Sequence, residues 1–326
     1  MTQLRKDIVS GDWIIIASGR AKRPHEEGNN LPLRVIAPEN ECPFEDVEKS
    51  GNEAPHAYYP HKRNWRIQVI KNKYPVVSHM STCPTGSYEG PYETLRAEGH
   101  HELIITKDHR KNFAHLDGSD ALLVFEAMKD RYYTIARDEC VRYISLFHNW
   151  GPYAGASIFH PHYQVIALPV VPPDVYHSLQ GSSLFFKEKN ACVHCHVIAW
   201  EKKKGERILF ENEEVIALAP FFSRNPYEVR IFPKKHLSCF EESSQKVLHA
   251  IIFALQELLR RIEQKLHDPD YNFFIHTSPI KDKDSFHYYH WHIEIVPKIN
   301  IRAGFELGTG IDINPVDPNE ATALLR

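Results

Sequence analysis

The feature that most constrains this chain is a pattern that it carries twice. The first half reads Cys42-Pro43-Phe44-Glu45, then a strand-like stretch from His101 to His109 and a helical stretch from about Ser119 to Glu139. A strand from Val141 to Phe147 follows, and then one from Tyr163 to Leu168 that is opened by His160-Pro161-His162. The second half reads Cys192-Val193-His194-Cys195, a strand-like stretch from Tyr227 to His236 and a helical stretch from about Ser243 to Leu266. Asn272 to His276 and then His290-Trp291-His292, running on to Val296, complete it. His109 precedes His160 by 51 residues, and His236 precedes His290 by 54. Two unrelated α+β halves have no reason to share both order and spacing, so the pattern reads as a diverged internal duplication.

Periodicity assigns the elements. Val247, Leu248, Ile251, Ile252, Leu255, Leu258, Leu259, Ile262 and Leu266 recur at three and four, the helical period. Ser243 or Ser244 can cap that helix, and Pro269 closes it. Leu122, Phe125, Met128, Tyr132 and Ile135 repeat in the same manner. The strands alternate instead: Glu102, Ile104 and Thr106 face one side, Leu103 and Ile105 the other. Leu168 to Pro173 holds three prolines, which a central strand does not tolerate, so it reads as the exit from the first half. Gly181 to Lys189 reads as a connector, which puts the boundary between halves 1–178 and 179–326. Residues 49–99, rich in Gly, Pro, Tyr and polar side chains, read as inserted loops.

His160-Pro161-His162-Tyr163-Gln164 is the sharpest motif. On a strand, residues two apart share a face, so His160, His162 and Gln164 form a row. A neutral imidazole can attack the α-phosphorus of a nucleotide, and an amide can donate to the developing phosphoryl oxygen. Asn149-Trp150-Gly151 and Gly155-Ala156-Ser157 add small residues and polar donors where a phosphate could approach the backbone. A histidine pair capping a core edge, with no reaction attached, is the bland alternative.

Cys192-x-x-Cys195 presents two thiolates to one ion, and zinc takes four N or S ligands. His236 and His290 complete the set. A redox pair would need a thioredoxin-like context, which is missing. His194 and His196 flank the motif and read as exposed loop histidines. The matching residues of the first half are Cys42, Glu45, His109 and His160. A carboxylate can ligate zinc, so Cys-Glu-His-His is chemically possible, as is loss of that metal.

Composition excludes other classes. A net charge of −3 over 326 residues argues against a protein that grips phosphate backbones, so no nucleic-acid partner is expected. No apolar run reaches the length of a membrane span, and none near the N-terminus suits a signal peptide. A cytoplasmic location is expected, and there the six cysteines read as metal ligands or buried thiols, not a disulfide framework.

These residues resemble the galactose-1-phosphate uridylyltransferase family of the histidine-triad (HIT) superfamily. The family motif His-Pro-His-x-Gln matches His160 to Gln164. Gly11-Asp12-Trp13-Ile14-Ile15-Ile16, Arg20-Ala21-Lys22-Arg23-Pro24 and the upstream Asn149 are also similar. The resemblance implies an α+β fold in which two HIT-like half-repeats share a largely antiparallel sheet with helices packed on it. It implies that His162 is the nucleophile and that Gln164 contacts the transferred phosphoryl group. Asn149 and Ser157 would contact phosphate, and Arg20 and Arg23 would reach the nucleotide-sugar site, in a homodimer across to the partner. Leu168 to Pro173 and Ala303 to Gly310, with Glu306 as a substrate contact, resemble the branch that includes plant ADP-glucose phosphorylase. That branch has a C-x-x-C site in each half, and Glu45 departs from it. Enterobacterial members instead hold a metal with three histidines and a glutamate, an arrangement that His276, His290 and His292 could suggest; the intact C-x-x-C favours the thiolate site.

The expected activity is transfer of a nucleoside monophosphate, UMP first, between a nucleotide sugar and a hexose 1-phosphate through nucleotidyl-His162. ADP-glucose with phosphate as acceptor is the second reading, and a zinc-stabilised non-catalytic nucleotide-binding protein is a third. HIT-type hydrolases carry a histidine where this chain has Gln164. Glutamine is neither acid nor base, which favours transfer over hydrolysis.

Overall fold

The duplicated pattern becomes a duplicated architecture. A computed structural model describes residues 2–22, 34–79 and 82–326. Ten strands form one antiparallel sheet. Five come from the first half: β1 (Ala57–Tyr59), β2 (Ile67–Lys71), β3 (His100–Thr106), β4 (Tyr143–Trp150) and β5 (His162–Leu168). The second half supplies β6 (Ile208–Glu211), β7 (Val215–Leu218), β8 (Val229–Pro233), β9 (Tyr271–His276) and β10 (His292–Pro297). The order β1-β2-β3-β5-β4 meets β9-β10-β8-β7-β6, so each half repeats the other about a seam where β4 pairs with β9. The α+β class and the two half-repeats are as expected.

Helices α1 (Gly118–Ile135) and α4 (Gln245–Lys265) pack on one face of the sheet. Their periodic residues, Phe125, Met128, Tyr132, Leu248, Ile251, Leu255 and Leu259 among them, join Ile104, Tyr163, Val165 and Ile293 in one continuous core. Ser244 caps α4, its side chain accepting from Val247 N at 3.3 Å. The alternation of β3 also holds: Ile104 faces the helices, while Leu103 and Ile105 turn to a second cluster with Cys42, Phe44, Val47 and Ile70.

Three expectations need correction. Residues 49–99 are not all loop, because β1 and β2 complete the first half of the sheet. Their short apolar runs lie among prolines and glycines, which hid them. Gly181 to Lys189 is helical, the second part of α2 (Pro173–Lys189). The prolines that end β5 also start α2, since proline is well suited to the first turn of a helix. Finally, Cys83 and Cys140 form a disulfide, with Cα atoms 5.0 Å apart, so these two are neither metal ligands nor buried thiols. Cys140 lies in the turn between α1 and β4, and linear spacing does not reveal its proximity to Cys83.

A helix α3 (Val193–Lys204) follows Cys192, and α5 (Gly304–Thr309) and α6 (Pro318–Leu325) lie near the C-terminus. A small sheet joins Gln3–Lys6, Trp13–Ile16 and Ile313–Asn314. Among the described residues, no helix is long and apolar enough to cross a membrane.

Candidate active site

Strand register puts His162 and Gln164 on the sheet face away from α1 and α4. His162 pairs with Ile105 and Gln164 with Leu103, and paired residues share a face. Tyr163 and Val165 point the other way, into the main core. His162 and Gln164 therefore line a pocket of about 490 Å³ with Phe44, Asn52, Asn72, Lys73 and Ser157. That volume suits a small organic ligand.

The hydrogen bonds of His162 decide what it can do. Its Nδ1 lies 2.9 Å from the carbonyl oxygen of His160. A carbonyl only accepts, so Nδ1 carries the proton and Nε2 keeps its lone pair. Burial pushes the imidazole pKa down, more than the His160 carbonyl raises it, which keeps the ring neutral. A neutral imidazole with a free Nε2 is the nucleophilic form. The backbone beneath it is held too: His148 Nδ1 donates to the His162 carbonyl at 2.7 Å.

Gln164 is oriented by His101. Val76 N donates to His101 Nδ1 at 3.2 Å, so Nε2 carries the proton and donates to Gln164 Oε1 at 3.0 Å. With its oxygen occupied, Gln164 presents its NH2 as a donor. Asn72 Nδ2 lies 3.0 Å from the same ring nitrogen, and as a donor it cannot accept that proton, so Gln164 Oε1 is the acceptor. Ser157 stands on a loop whose start requires glycine. Gly151 has φ of +84°, and a Cβ there would meet Asp270 Oδ1 at 1.9 Å.

His160 does not continue the row. It precedes β5 and turns to Cys42, Glu45 and His109, so the four expected first-half ligands do come together. Cys42 Sγ lies 3.5 Å from His160 Nδ1, and His109 Nδ1 lies 3.2 Å from the same atom. Glu45 Oε1 is 2.9 Å from His109 Nδ1 and 3.2 Å from His160 Nδ1. Both histidines donate Nε2–H to backbone carbonyls, His109 to Ala37 at 2.8 Å and His160 to Thr106 at 2.7 Å. Their facing Nδ1 atoms thus hold bare lone pairs, a repulsive arrangement unless a cation or proton lies between. Burial raises the Cys42 thiol pKa, so it needs a cation to ionise at neutral pH.

The second half repeats this. Cys192 caps α3, Cys195 lies in its first turn, and His236 and His290 join them. Cys195 Sγ is 3.3 Å from His236 Nδ1 and 3.4 Å from His290 Nδ1. The two Nε2 atoms again donate to carbonyls, of His287 at 2.7 Å and Pro233 at 3.0 Å. The Cys195 hydrogen bond and the two imidazoles lower the Cys192 pKa against its burial, while Cys192 raises that of Cys195. Around a tetrahedral zinc, N and S ligands sit roughly 3.3–3.8 Å apart, given bond lengths of about 2.0–2.3 Å. The spacings of the second cluster, 3.3 and 3.4 Å, fall in that range; in the first cluster the Cys42–His160 spacing of 3.5 Å does, while the contacts among Glu45, His109 and His160 are tighter, at 2.9–3.2 Å.

Other residues fall elsewhere. Arg23 lies outside the described residues. Arg20 and Glu306 do not line the His162 pocket; Glu306 Oε2 accepts from Ala303 N at 3.1 Å. Asn149 accepts from Asn272 Nδ2 at 2.8 Å. His194 is not an exposed loop histidine. It is 3% exposed on α3, its ring 5.0 Å from that of His292, because α3 covers that face of the sheet. His276, His292 and Glu294 form a group of their own, apart from His290.

A model of the galactose-1-phosphate uridyl transferase N-terminal domain matches residues 1–172, and a domain of unknown function (DUF4921) matches 93–325. ADP-glucose phosphorylase of Arabidopsis thaliana is 35% identical over 99% of this chain and 92% of its own length.

The chain belongs to the galactose-1-phosphate uridyl transferase family.

Galactose-1-phosphate uridylyltransferase of Thermotoga maritima is 29% identical over 100% of this chain and 98% of its own. A crystal structure of the Arabidopsis ADP-glucose phosphorylase with bound ADP-glucose superimposes with a TM-score of 0.84 at 32% identity, covering 100% of this chain and 99% of the other. The family is one of nucleotidyltransferases, and its motif strand is β5. Sequence reasoning missed His101, His148, Asn52, Asn72 and Lys73. His101 was within reach, since it shares a strand face with Leu103 and Ile105. The others depend on the fold of residues 49–99 and on the β4–β5 register.

Proposed function

We propose that this chain transfers a nucleoside monophosphate through a covalent intermediate on His162. The observation that carries the reading is the Nδ1–H bond of His162 to the His160 carbonyl, which leaves Nε2 free beside Gln164 and Ser157. Nε2 attacks the α-phosphorus of a nucleotide sugar; a P–N bond forms, the P–O bond to the β-phosphate breaks, and a hexose 1-phosphate leaves. A phosphate oxygen of the acceptor then attacks phosphorus and releases His162. Gln164 donates to the phosphoryl oxygens, and Lys73 supplies positive charge at the pocket wall. Positioning and electrostatics carry most of such catalysis.

Two donors remain in play. UDP-glucose with a hexose 1-phosphate acceptor is the first sequence reading. ADP-glucose with phosphate is favoured by the likeness to the Arabidopsis phosphorylase. Incubation with each donor separately, without acceptor, and intact-mass measurement distinguishes them. A UMP or AMP adduct that disappears in His162→Ala is expected. No adduct from either donor, and no exchange of labelled sugar phosphate, overturns the covalent mechanism.

Zinc is the proposed ion for Cys192, Cys195, His236 and His290, and for Cys42, Glu45, His109 and His160. It would hold the strand ends in place without entering the reaction. The halves 1–178 and 179–326 then divide the work, chemistry in the first and scaffold in the second. A homodimer in which Arg20, Arg23 and Glu306 reach the partner's pocket accounts for Arg20 and Glu306 not lining this chain's own; sedimentation showing only monomer would sink that arrangement.

A further inference from the structure

Besides the two cysteine clusters and the His276–His292–Glu294 group, whose carboxylate is taken by Arg230 at 3.1 Å, one more cluster of ligand-type side chains lies outside the site. His79, His100 and Asp138 bring their ligand atoms within 4.8 Å of one another. His100 Nε2 is 2.9 Å and His79 Nδ1 3.6 Å from the same oxygen, Asp138 Oδ2. The other oxygen, Oδ1, accepts from Cys140 N at 2.9 Å, which aims Oδ2 at the histidines. The two rings stack with centroids 4.3 Å apart.

We propose that His79, His100 and Asp138 form a binding site for a divalent transition-metal ion of the Zn2+ class. Three arguments carry it. The first is spacing: N and O ligands of a tetrahedral zinc sit roughly 3.3 Å apart, from bonds of about 2.0–2.2 Å, and the observed 2.9 and 3.6 Å bracket that value. The second is pre-organisation from three separate pieces of chain. Ser78 N donates to Ala97 O at 3.0 Å and Gly99 N to Ser78 O at 2.9 Å, which lays His79 beside the start of β3. Gly99 is needed there, because a Cβ would meet Ala167 O at 1.9 Å. The Cys83–Cys140 disulfide ties the segment that carries His79 to the turn that carries Asp138. The third is donor chemistry. Two imidazole nitrogens and one carboxylate suit Zn2+, Co2+ or Ni2+, whereas Mg2+ and Ca2+ prefer all-oxygen sets. His79 is exposed while His100 and Asp138 are half-buried, so the fourth ligand position opens to solvent, as in zinc sites that keep a water.

Isothermal titration with Zn2+ tests this on the purified protein, dialysed against metal-free buffer so that tightly held metal stays in place. Wild type should bind about one further equivalent, as three ligands define one site. His79→Ala and His100→Ala should each lose it, or weaken it by at least about tenfold, as the loss of a ligand predicts. Neither variant touches the cysteine clusters or His162, so a failure of the zinc assignment there leaves the difference between proteins readable. His79 is exposed, and His79→Ala serves if His100→Ala misfolds. The proposal is overturned if wild type takes up no further Zn2+, or if wild type and His79→Ala titrate alike.

Discussion

The strands of His162 and His292 occupy equivalent places in the sheet, yet their surroundings differ. Each histidine donates Nδ1–H to the carbonyl two residues before it, at 2.9 Å in the first half and 3.1 Å in the second. Each follows a histidine that turns to a four-ligand cluster. The cover differs. In the second half α3 and the N-terminal segment lie over the sheet face, and His292 lines a cavity of only about 140 Å³. In the first half the chain from Pro43 to Asn52 leaves about 490 Å³ open over His162. The cavity at His292 is also filled with charge: Arg230 lies between Glu228 and Glu294 at 2.9 and 3.1 Å. On the proposed mechanism a histidine with the tautomer of His162 is therefore not enough; room for a nucleotide sugar and a neutral donor beside it are also required.

The largest expected effect follows directly. His162→Ala should lower transfer by at least about 10⁴-fold, as loss of a covalent nucleophile does. His292→Ala should leave kcat within a few-fold, since no substrate fits beside it. Steady-state rates of the two variants decide this, and comparable losses in both would break the assignment of chemistry to one half.

Gln164 and Glu294 hold the same position in the two halves, each two residues beyond its histidine. Gln164→Glu should reduce kcat by about 10²-fold, because a carboxylate cannot donate to the phosphoryl oxygens and repels them. The reverse change, Glu294→Gln, should leave the rate intact and cost about 1–3 kcal/mol of stability, with Arg230 losing one of its two carboxylates. Denaturant titration beside the kinetic assay reads both. A Gln164→Glu enzyme of full activity would remove Gln164 from the reaction.

The two four-residue clusters proposed to hold zinc differ by one residue, Glu45 against Cys195. Glu45→Cys should make the first half retain its metal against a chelator on the order of tenfold longer, since thiolate binds zinc more strongly than carboxylate oxygen does. Time-resolved metal release follows this, and unchanged release would mean that Glu45 is not a ligand.

How much of this was legible in the sequence depended on whether a signal was local. The His-Pro-His-x-Gln strand, α1, α4 and all eight cluster residues carry local patterns or fixed spacings, and the structure brings these residues together as two groups of four. β1 and β2 carry runs too short to stand out among prolines and glycines. Cys83 and Cys140 are 57 residues apart, and only the fold brings them together. His194 looked exposed because the two cysteines suggested a turn, whereas Cys192 begins a helix that buries it. His148 lies just past the strand that the sequence pattern marks, Val141 to Phe147, and its role rests on a partner across the sheet.

His148 supplies the smallest contrast between the halves. It pairs with Tyr163, and Ile275 pairs with Ile293, so Ile275 is its counterpart in the second half. Burial lowers the His148 pKa from 6.5 to about 3, against the pull of the His162 carbonyl. The unfolded chain takes up this proton near pH 6.5 and the folded chain does not, so the contribution to stability is full above 6.5 and falls as pH drops. From pH 7 to 6 the loss is about 0.7 kcal/mol for one such group. His148→Ile, which copies the second half, should lessen the acid sensitivity by that amount, read as a smaller drop in melting temperature from pH 7 to 6. It also removes the donor to the His162 carbonyl, so a few-fold fall in kcat should accompany the flatter pH profile. Stability that kept its full acid slope in His148→Ile would show that the first half does not contain this titrating difference.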